Sequence, residues 1–218
     1  MRLHIYLMFA LFLMPGCARL GDWAKEHFDQ GDKRENQTQK VRSYIRSSQI
    51  YDELDTVGLF DVLWLNDEVR SAYTDLYAAK LALTPEQKDE FLQTELDVNE
   101  SYISFYAICF IHDYKLGDRT GAWMVRLRVD DVLYQPVLIE SVDLNAEYMM
   151  FLSKVWNRRK QVYLIKFNAT CQGEPIITDT TKEIELIFNT IDRSTSLMWD
   201  LQYVKYDSHR CLPAQTGR

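Results

Sequence analysis

The sequence comprises 218 residues, of which 47% are hydrophobic and 26% charged, and its formal net charge is −7 with histidine neutral. These values are ordinary for a globular protein and exclude a wholly disordered chain, a collagen and a multi-span membrane protein. An acidic chain gives no general electrostatic support for a nucleic-acid partner. The chain holds only 8 glycines, so the glycine-rich loops that cradle phosphates in nucleotide-binding proteins are not expected.

The N-terminus has the pattern of an export signal. Arg2 and the terminal amine form a short positive segment, and the stretch from Ile5 to Met14 is an unbroken apolar run. A helix of that length is about 15 Å long, too short to cross the ~30 Å hydrocarbon core of a membrane. A proline-glycine pair then breaks the helix immediately before Cys17. We therefore predict that residues 1–16 are a cleaved signal peptide.

Residues 13–17 resemble the lipobox of bacterial lipoproteins, in which a small residue precedes the cysteine that becomes the diacylglycerol attachment point. The sequence departs from the family pattern at Met14, where the family prefers Leu, and at Pro15, where it prefers a small residue. The resemblance implies that Cys17 is the acylated N-terminus of the mature protein, carrying palmitate-type chains. Because Ala18 follows the cysteine instead of Asp, the resemblance also implies the outer membrane as the location in the cell envelope.

Such an anchor predicts firm attachment, since each buried methylene contributes about 0.8 kcal/mol and one chain alone binds only reversibly. Residues 18–40 are polar and charge-rich, and we interpret residues 17–40 as the lipidated cysteine followed by a tether. Several side chains of this tether fall at helical spacing. That spacing fits a short helix on the lipid surface, and it fits a nascent helix without a partner equally well.

A composition shift near Val41 marks the start of the folded part. We predict one globular domain over residues 41–206 and a C-terminal tail over residues 207–218. The stretch from Phe60 to Tyr73 is similar to uncharacterised bacterial lipoproteins, and this resemblance implies no activity.

Two helices are indicated early in the domain. Asn66, followed by two acidic residues, predicts a helix over about 67–82, because an N-cap amide and first-turn acids stabilise a helix N-terminus. Thr84 and Gln87 with a proline between them predict a capping box and a second helix to about residue 97.

The period of the apolar residues changes to two after residue 101, which predicts strands. Pro136 lies within a predicted strand over 132–142 and indicates an edge position or a bulge. Asn145 predicts the start of a short inserted helix. Further strands are expected near 160–168, 182–191 and 195–206. The resulting prediction is an α+β fold in which an N-terminal helical pair is followed by an antiparallel β-sheet or sandwich of about six strands with one inserted helix.

No catalytic pattern emerges from the residues that usually carry chemistry. The mature chain has His27, His112 and His209, without the close spacing of a zinc site, and it has no nucleophile motif. Its acidic pairs indicate a solvated surface, and Asp130-Asp131 indicates a β-turn. We predict no catalytic, cofactor-binding or metal-binding residues, and therefore a protein that is not an enzyme and needs no cofactor.

Basic residues allow two interpretations. One basic cluster is Arg158-Arg159-Lys160. It would contact lipid headgroups or an anionic glycan, or it would complement the dipole at the C-terminus of a helix. We favour the second interpretation. Arg126 and Arg128, on the polar face of a predicted strand, carry the same ambiguity.

Export places the cysteines in an oxidising compartment. We predict a disulfide between Cys171 and Cys211, which would close a loop of about 40 residues and stabilise the fold by roughly 3–4 kcal/mol in the chain-entropy model. Cys109 lies in an apolar strand and is expected to remain a buried, reduced thiol.

These expectations favour a non-catalytic lipoprotein of the bacterial cell envelope, anchored to the membrane by lipid, that binds an envelope protein or a glycan. Two alternatives remain: a soluble secreted domain without lipid, and an envelope hydrolase that uses carboxylates facing each other across a cleft within about 10 Å.

Overall fold

The structure is a computed structural model that describes residues 36–52, 55–111, 116–117, 123–155 and 160–201. The chain divides into two compact units, Met1–Gln39 and Lys40–Arg218. In the first unit, the described residues 36–39 are helical. The predicted signal peptide, Cys17, the tether as far as residue 35 and the tail beyond Leu201 lie outside the described residues.

The second unit opens with helical residues 40–42, which a β-hairpin follows, and its later helices stand between strands. In chain order the elements are β1 (Ile45–Asp52), β2 (Asp55–Trp64), α1 (Asp67–Leu81), α2 (Pro85–Ser101), β3 (Tyr102–Ile111), β4 (Met124–Val129), β5 (Val132–Tyr134), β6 (Leu138–Ser141), α3 (Ala146–Leu152), β7 (Gln161–Asn168), β8 (Thr170–Cys171), β9 (Glu174–Pro175), β10 (Glu183–Asn189) and β11 (Ser194–Asp200). Among the described residues, no helix combines the length and apolar character needed to cross a membrane.

The described strands form three antiparallel sheets. The large sheet has the order β1-β2-β3-β7-β6, and the small sheet has the order β11-β10-β4-β5. Strands β8 and β9 form a separate two-stranded sheet. Each strand pair is antiparallel, and the β1–β2 register shifts once, between Ile50 and Tyr51.

The core lies between the inner faces of the large and small sheets, which form a sandwich. Phe60 of the large sheet stacks on Phe188 of the small sheet with ring centroids 4.5 Å apart. Trp199 of the small sheet packs against Phe105 at 5.4 Å and against Trp64 at 6.4 Å. Phe60, Phe105, Phe188 and Trp199 are each fully buried, so aromatic rings supply much of the apolar area that stabilises the sandwich.

The helices cover the opposite face of the large sheet. Tyr148 of α3 contacts Tyr106 of β3, with ring centroids 4.9 Å apart, and stacks on Tyr73 of α1 at 4.4 Å. Helix α2 lies further out and has no buried residue; its Phe91 stacks on Tyr77 of α1 at 4.6 Å. This face is therefore covered by a second aromatic layer.

The two sides of the sandwich differ. On one side, strand β1 contacts β11: Trp199 Nε1 donates to the Tyr44 carbonyl at 2.8 Å and Arg46 Nε to the Met198 carbonyl at 2.8 Å. On the other side, the chain passes from β5 in the small sheet to β6 in the large sheet through Pro136. Pro136 thus separates two edge strands where the sequence predicted a single strand.

The predicted fold class is wrong in its element order and strand number. The chain is mixed α+β, but the hairpin β1–β2 precedes the helical pair, and the described residues form eleven strands instead of about six. Strand β2 was missed because its residues from Phe60 to Trp64 are all buried. Such a strand has no polar face and gives no period-two pattern.

Local signals within the predicted elements were reliable. Helix α1 begins after Asn66, whose side chain accepts a hydrogen bond from Val69 N at 3.0 Å. Thr84 and Gln87 form the predicted capping box at the start of α2. Asp130 and Asp131 form the turn between β4 and β5, which confirms the turn prediction.

Candidate functional site

A groove of about 730 Å³ lies at one end of the large sheet, and we call it the acidic groove. Its walls come from the β2–α1 junction, the α2–β3 junction and the β8–β9 segment with the residues after it. The lining residues are Trp64, Leu65, Asn66, Asp67, Glu68, Asn99, Glu100, Tyr102, Ile103, Ala169, Thr170, Pro175, Ile177, Thr178, Asp179 and Leu201.

Backbone hydrogen bonds hold these segments together at the end of the sheet. Leu65 N donates to the Ser104 carbonyl at 2.9 Å, which joins the exit of β2 to β3. Ala169 N donates to the Ser101 carbonyl at 2.9 Å, and Ile176 N donates to the Ala169 carbonyl at 2.8 Å. The groove walls are therefore attached directly to the sheet and to each other.

The floor of the acidic groove is apolar. Trp64, Leu65, Ile103 and Leu201 are all less than a tenth exposed. Tyr102, at the start of β3, is 36% exposed and its ring faces the Lys166 ammonium, with 5.0 Å between Nζ and the ring centroid. A partner that enters the groove thus meets aromatic and aliphatic surface.

Among the described residues that line the groove, the charged ones are all acidic. They are Asp67 and Glu68 at the start of α1, Glu100 at the end of α2 and Asp179 after β9, and neither lysine nor arginine is among these described lining residues. All four of these residues are exposed. The groove therefore combines an apolar floor with a negative rim.

A hydrogen-bond network behind the rim fixes the two helix ends. Asn99 Nδ2 donates to Asp67 Oδ1 at 2.7 Å, and Asn99 Oδ1 accepts from Arg70 Nε at 2.6 Å. Arg70 Nη1 also lies 2.6 Å from Glu95 Oε2, and its side chain is only 6% exposed. The buried Arg70 is thus engaged by Glu95, while Asn99 connects α2 to α1.

A smaller cavity of about 370 Å³ lies near strand β1 and contains a buried ion pair. Lys160 Nζ lies 2.6 Å from Asp61 Oδ2 and donates to the Val155 carbonyl at 2.7 Å. Ser47 Oγ donates to Asp61 Oδ1 at 2.5 Å. Both oxygens of Asp61 therefore have partners, and the cluster is a satisfied structural contact.

Lys160 is the described member of the predicted basic cluster, and it is not a surface cation. Its side chain is 9% exposed. Arg158 and Arg159 lie outside the described residues. Arg128, on the outer face of the small sheet, forms an ion pair with the buried Glu185, so its charge is compensated. Arg126 lies on the same face, beside a shallow cavity near the β10–β11 turn.

The structure describes two of the cysteines, Cys109 and Cys171. Cys109 is 2% exposed, and burial, the largest cause, raises the pKa of its thiol, with the nearby Asp61 acting in the same direction. Its predicted burial is confirmed. Cys171 is exposed on β8, but Cys211 lies outside the described residues, so the disulfide between them stays a prediction.

The other sequence candidates do not converge. The described acidic residues do not gather, with histidine or cysteine, into a group of three or more that could hold a metal ion. Asp89-Glu90 lies on the exposed surface of α2. His27, His112 and His209 lie outside the described part of the chain.

No family model and no curated protein matches the sequence. A solved structure that matches it is a crystal structure of a novel protein of unknown function from Burkholderia pseudomallei. The two are 12% identical over 86% of this chain and 92% of that chain, with a TM-score of 0.34. A likeness at that level carries no argument about function.

Proposed function

We propose that the protein is a membrane-anchored, non-catalytic binding module of the bacterial cell envelope, and that the acidic groove is its partner-binding site. The groove itself carries this proposal. It offers an open apolar floor, carboxylates on the rim, and walls held by backbone hydrogen bonds to the sheet. Apolar surface with a few placed polar groups is the usual composition of a binding site.

The rim carboxylates favour binding over hydrolysis. Glu68 and Glu100 are exposed to water, whereas the acid catalyst of a glycosidase is kept protonated by apolar surroundings. Asp67 accepts a hydrogen bond from Asn99 and so helps to connect two helices. The lining residues that the structure describes include no histidine, cysteine or lysine to act as a base or nucleophile.

Binding in the groove is tested by photocrosslinking from single positions in growing cells. We expect p-benzoylphenylalanine at Tyr102, on the groove floor, to give a discrete adduct with one partner. The matched control replaces Tyr51, another exposed tyrosine on the same sheet that does not line the groove. Identical adducts from both positions, or none from Tyr102, would contradict the proposal.

The anchor is tested separately through Cys17, since a hydroxyl is not acylated by the lipoprotein pathway. We expect the wild-type protein to fractionate with membranes, to resist high salt and to be released by detergent. Cys17→Ser should accumulate as an uncleaved precursor. Normal processing of Cys17→Ser, together with wild-type protein in the soluble fraction, would favour a soluble secreted domain.

A further inference from the structure

We infer that the acidic groove binds a cationic protein segment, in which lysine or arginine side chains flank apolar ones. This inference rests on the proposed function, and it specifies the chemistry of the partner. Three features of the groove carry it: the negative charge of its rim, the position of Glu100 at the α2 C-terminus and the apolar floor.

The first feature is the uncompensated charge of Glu68 and Glu100 on the rim. Buried acids elsewhere in the described fold have cationic partners: Asp61 pairs with Lys160, and Glu147 with Lys80. Within the described part of the chain, Glu68 and Glu100 make neither an ion pair nor a hydrogen bond. With Asp67 they give the described part of the rim a negative potential, which favours a cationic partner and disfavours an anionic one.

The second feature is the position of Glu100. The C-terminus of a helix carries a partial negative charge, so a cation there stabilises the helix and an acid destabilises it. Glu100 stands in the last turn of α2, and that turn contains no basic residue. Asp67 and Glu68 complement the N-terminus of α1, but Glu100 has no such local role. A bound lysine or arginine would relieve this repulsion.

The third feature is the apolar floor, which favours a partner that has apolar side chains as well as positive charge. Trp64, Tyr102 and Ile177 present aromatic and aliphatic surface between the acidic residues. The Lys166 ammonium lies 5.0 Å from the centroid of the Tyr102 ring, so one face of this ring is engaged by a cation of the same chain. A peptide segment with both basic and apolar side chains matches rim and floor together, whereas a bare cation would leave the floor uncovered.

The inference is tested by titrating the full-length, detergent-solubilised protein with a fluorescent twelve-residue peptide of alternating lysine and leucine. The variant Glu68→Gln/Glu100→Gln removes two rim charges. Its control, Glu86→Gln/Glu90→Gln, removes two exposed charges of α2 that do not line the groove. At about 0.5–0.7 kcal/mol per exposed ion pair, we expect the rim variant to weaken binding about fivefold to tenfold and the control less than twofold.

Salt and peptide charge supply two further readouts. Raising the salt concentration should reduce the difference between the two variants, since exposed charges are screened. The same peptide with glutamate in place of lysine should not bind. Equal weakening by the rim and control variants would overturn the inference, because the peptide would then respond only to net charge.

The segment crosslinked to position 102 distinguishes a failure of the cationic inference from a failure of the proposed function. If the linked segment of the partner contains no lysine or arginine, the cationic inference fails while the proposed function stands. If Tyr102 gives no adduct, the proposed function fails. Linkage to residues 202–218 of the same chain, which carry three basic residues and one acid, would overturn the assignment of the groove to a separate protein.

Discussion

At the scale of single residues, the ion pair between Lys160 and Asp61 connects the segment after α3 to strand β2. The two side chains are only 9% and 10% exposed. Burial strengthens their attraction but also removes both charges from water. The pair is therefore far more sensitive to losing one partner than to losing both.

Lys160→Met is expected to lower the free energy of unfolding by about 3–5 kcal/mol, because it leaves the Asp61 carboxylate buried and unpaired. The measurement is urea unfolding at neutral pH. The control is Lys88→Met, which breaks an exposed pair with Asp75 whose side chains are 40% and 31% exposed. That change should lower the free energy by less than about 1 kcal/mol.

The double variant Asp61→Leu/Lys160→Met shows whether the unpaired carboxylate causes the loss of stability in Lys160→Met. It removes both charges, so it should be more stable than Lys160→Met alone. If the double variant is less stable than the single one, the loss comes from packing and not from the unpaired carboxylate.

The role of Lys160 could not be predicted from the sequence. It follows two arginines, so the local pattern indicated a basic surface. Its actual partner, Asp61, precedes it by 99 residues. The rim acids show the same limit: Asp67, Glu100 and Asp179 come from three separate segments of the chain, and no spacing in the sequence indicates their proximity.

At the scale of secondary-structure elements, the end of α1 adopts an unfavourable backbone conformation. Ala82 follows the helix with φ 51° and ψ 45°, in the left-handed region. Its N–H bonds to the Ala78 carbonyl, and Leu83 N donates to the same carbonyl at 3.0 Å. Glycine usually occupies this position, because it has no Cβ to clash with the following carbonyl.

Ala82→Gly is therefore expected to raise the free energy of unfolding by up to about 1 kcal/mol. Thermal and urea unfolding measure the change. Ala79→Gly is the matched control, since Ala79 lies in the exposed last turns of α1 and glycine inside a helix lowers stability by about 1 kcal/mol. A loss of stability in both variants would show that the end of α1 is not left-handed.

The sequence predicts correctly the elements that begin with a capping motif. Asn66 and the Thr84–Gln87 capping box place the starts of α1 and α2, because each start depends on contacts within a few residues. The hairpin β1–β2 depends on partners on both faces of a sheet. The sequence between its two strands contains no glycine, and its apolar residues follow no single period, so nothing local indicated it.

At the scale of the whole molecule, Trp199 joins the two sheets on the side of the sandwich where β1 contacts β11. It is fully buried in the core, packs against rings of β2 and β3, and donates a hydrogen bond to the Tyr44 carbonyl. The neighbouring Met198 points to the other face of β11 and is 47% exposed. Adjacent residues of one strand thus face core and solvent.

Trp199→Ala is expected to lower the free energy of unfolding by about 3–5 kcal/mol, because it removes a large core side chain and leaves the Tyr44 carbonyl without this donor. Met198→Ala should change it by less than about 1 kcal/mol. Urea unfolding of both variants provides the measurement. A larger loss for Met198→Ala would mean that β11 is rotated by one residue relative to the core.

The sandwich was predicted only as an alternative to a single sheet, and its topology was not predicted. Alternation in β4 fixes which face of that strand is buried, but it does not identify the neighbouring strand. The pairing of β4 with β10 joins residues more than fifty positions apart, such as Val129 with Ile184. Pairings of that kind are decided by the packing of the complete core.

The contact between β1 and β11 also bears on how the protein assembles after synthesis. The hydrogen bond from Trp199 to Tyr44 joins residues 155 positions apart. A chain that emerges N-terminus first presents the β1–β2 hairpin long before the strand that completes the sandwich. Until β10 and β11 emerge, Phe60, Trp64 and Phe105 lack their ring partners in the small sheet, and exposed apolar surface of this kind promotes aggregation. Completion of the sandwich is thus a late event in synthesis, and apolar surface of the large sheet stays exposed until β11 is available.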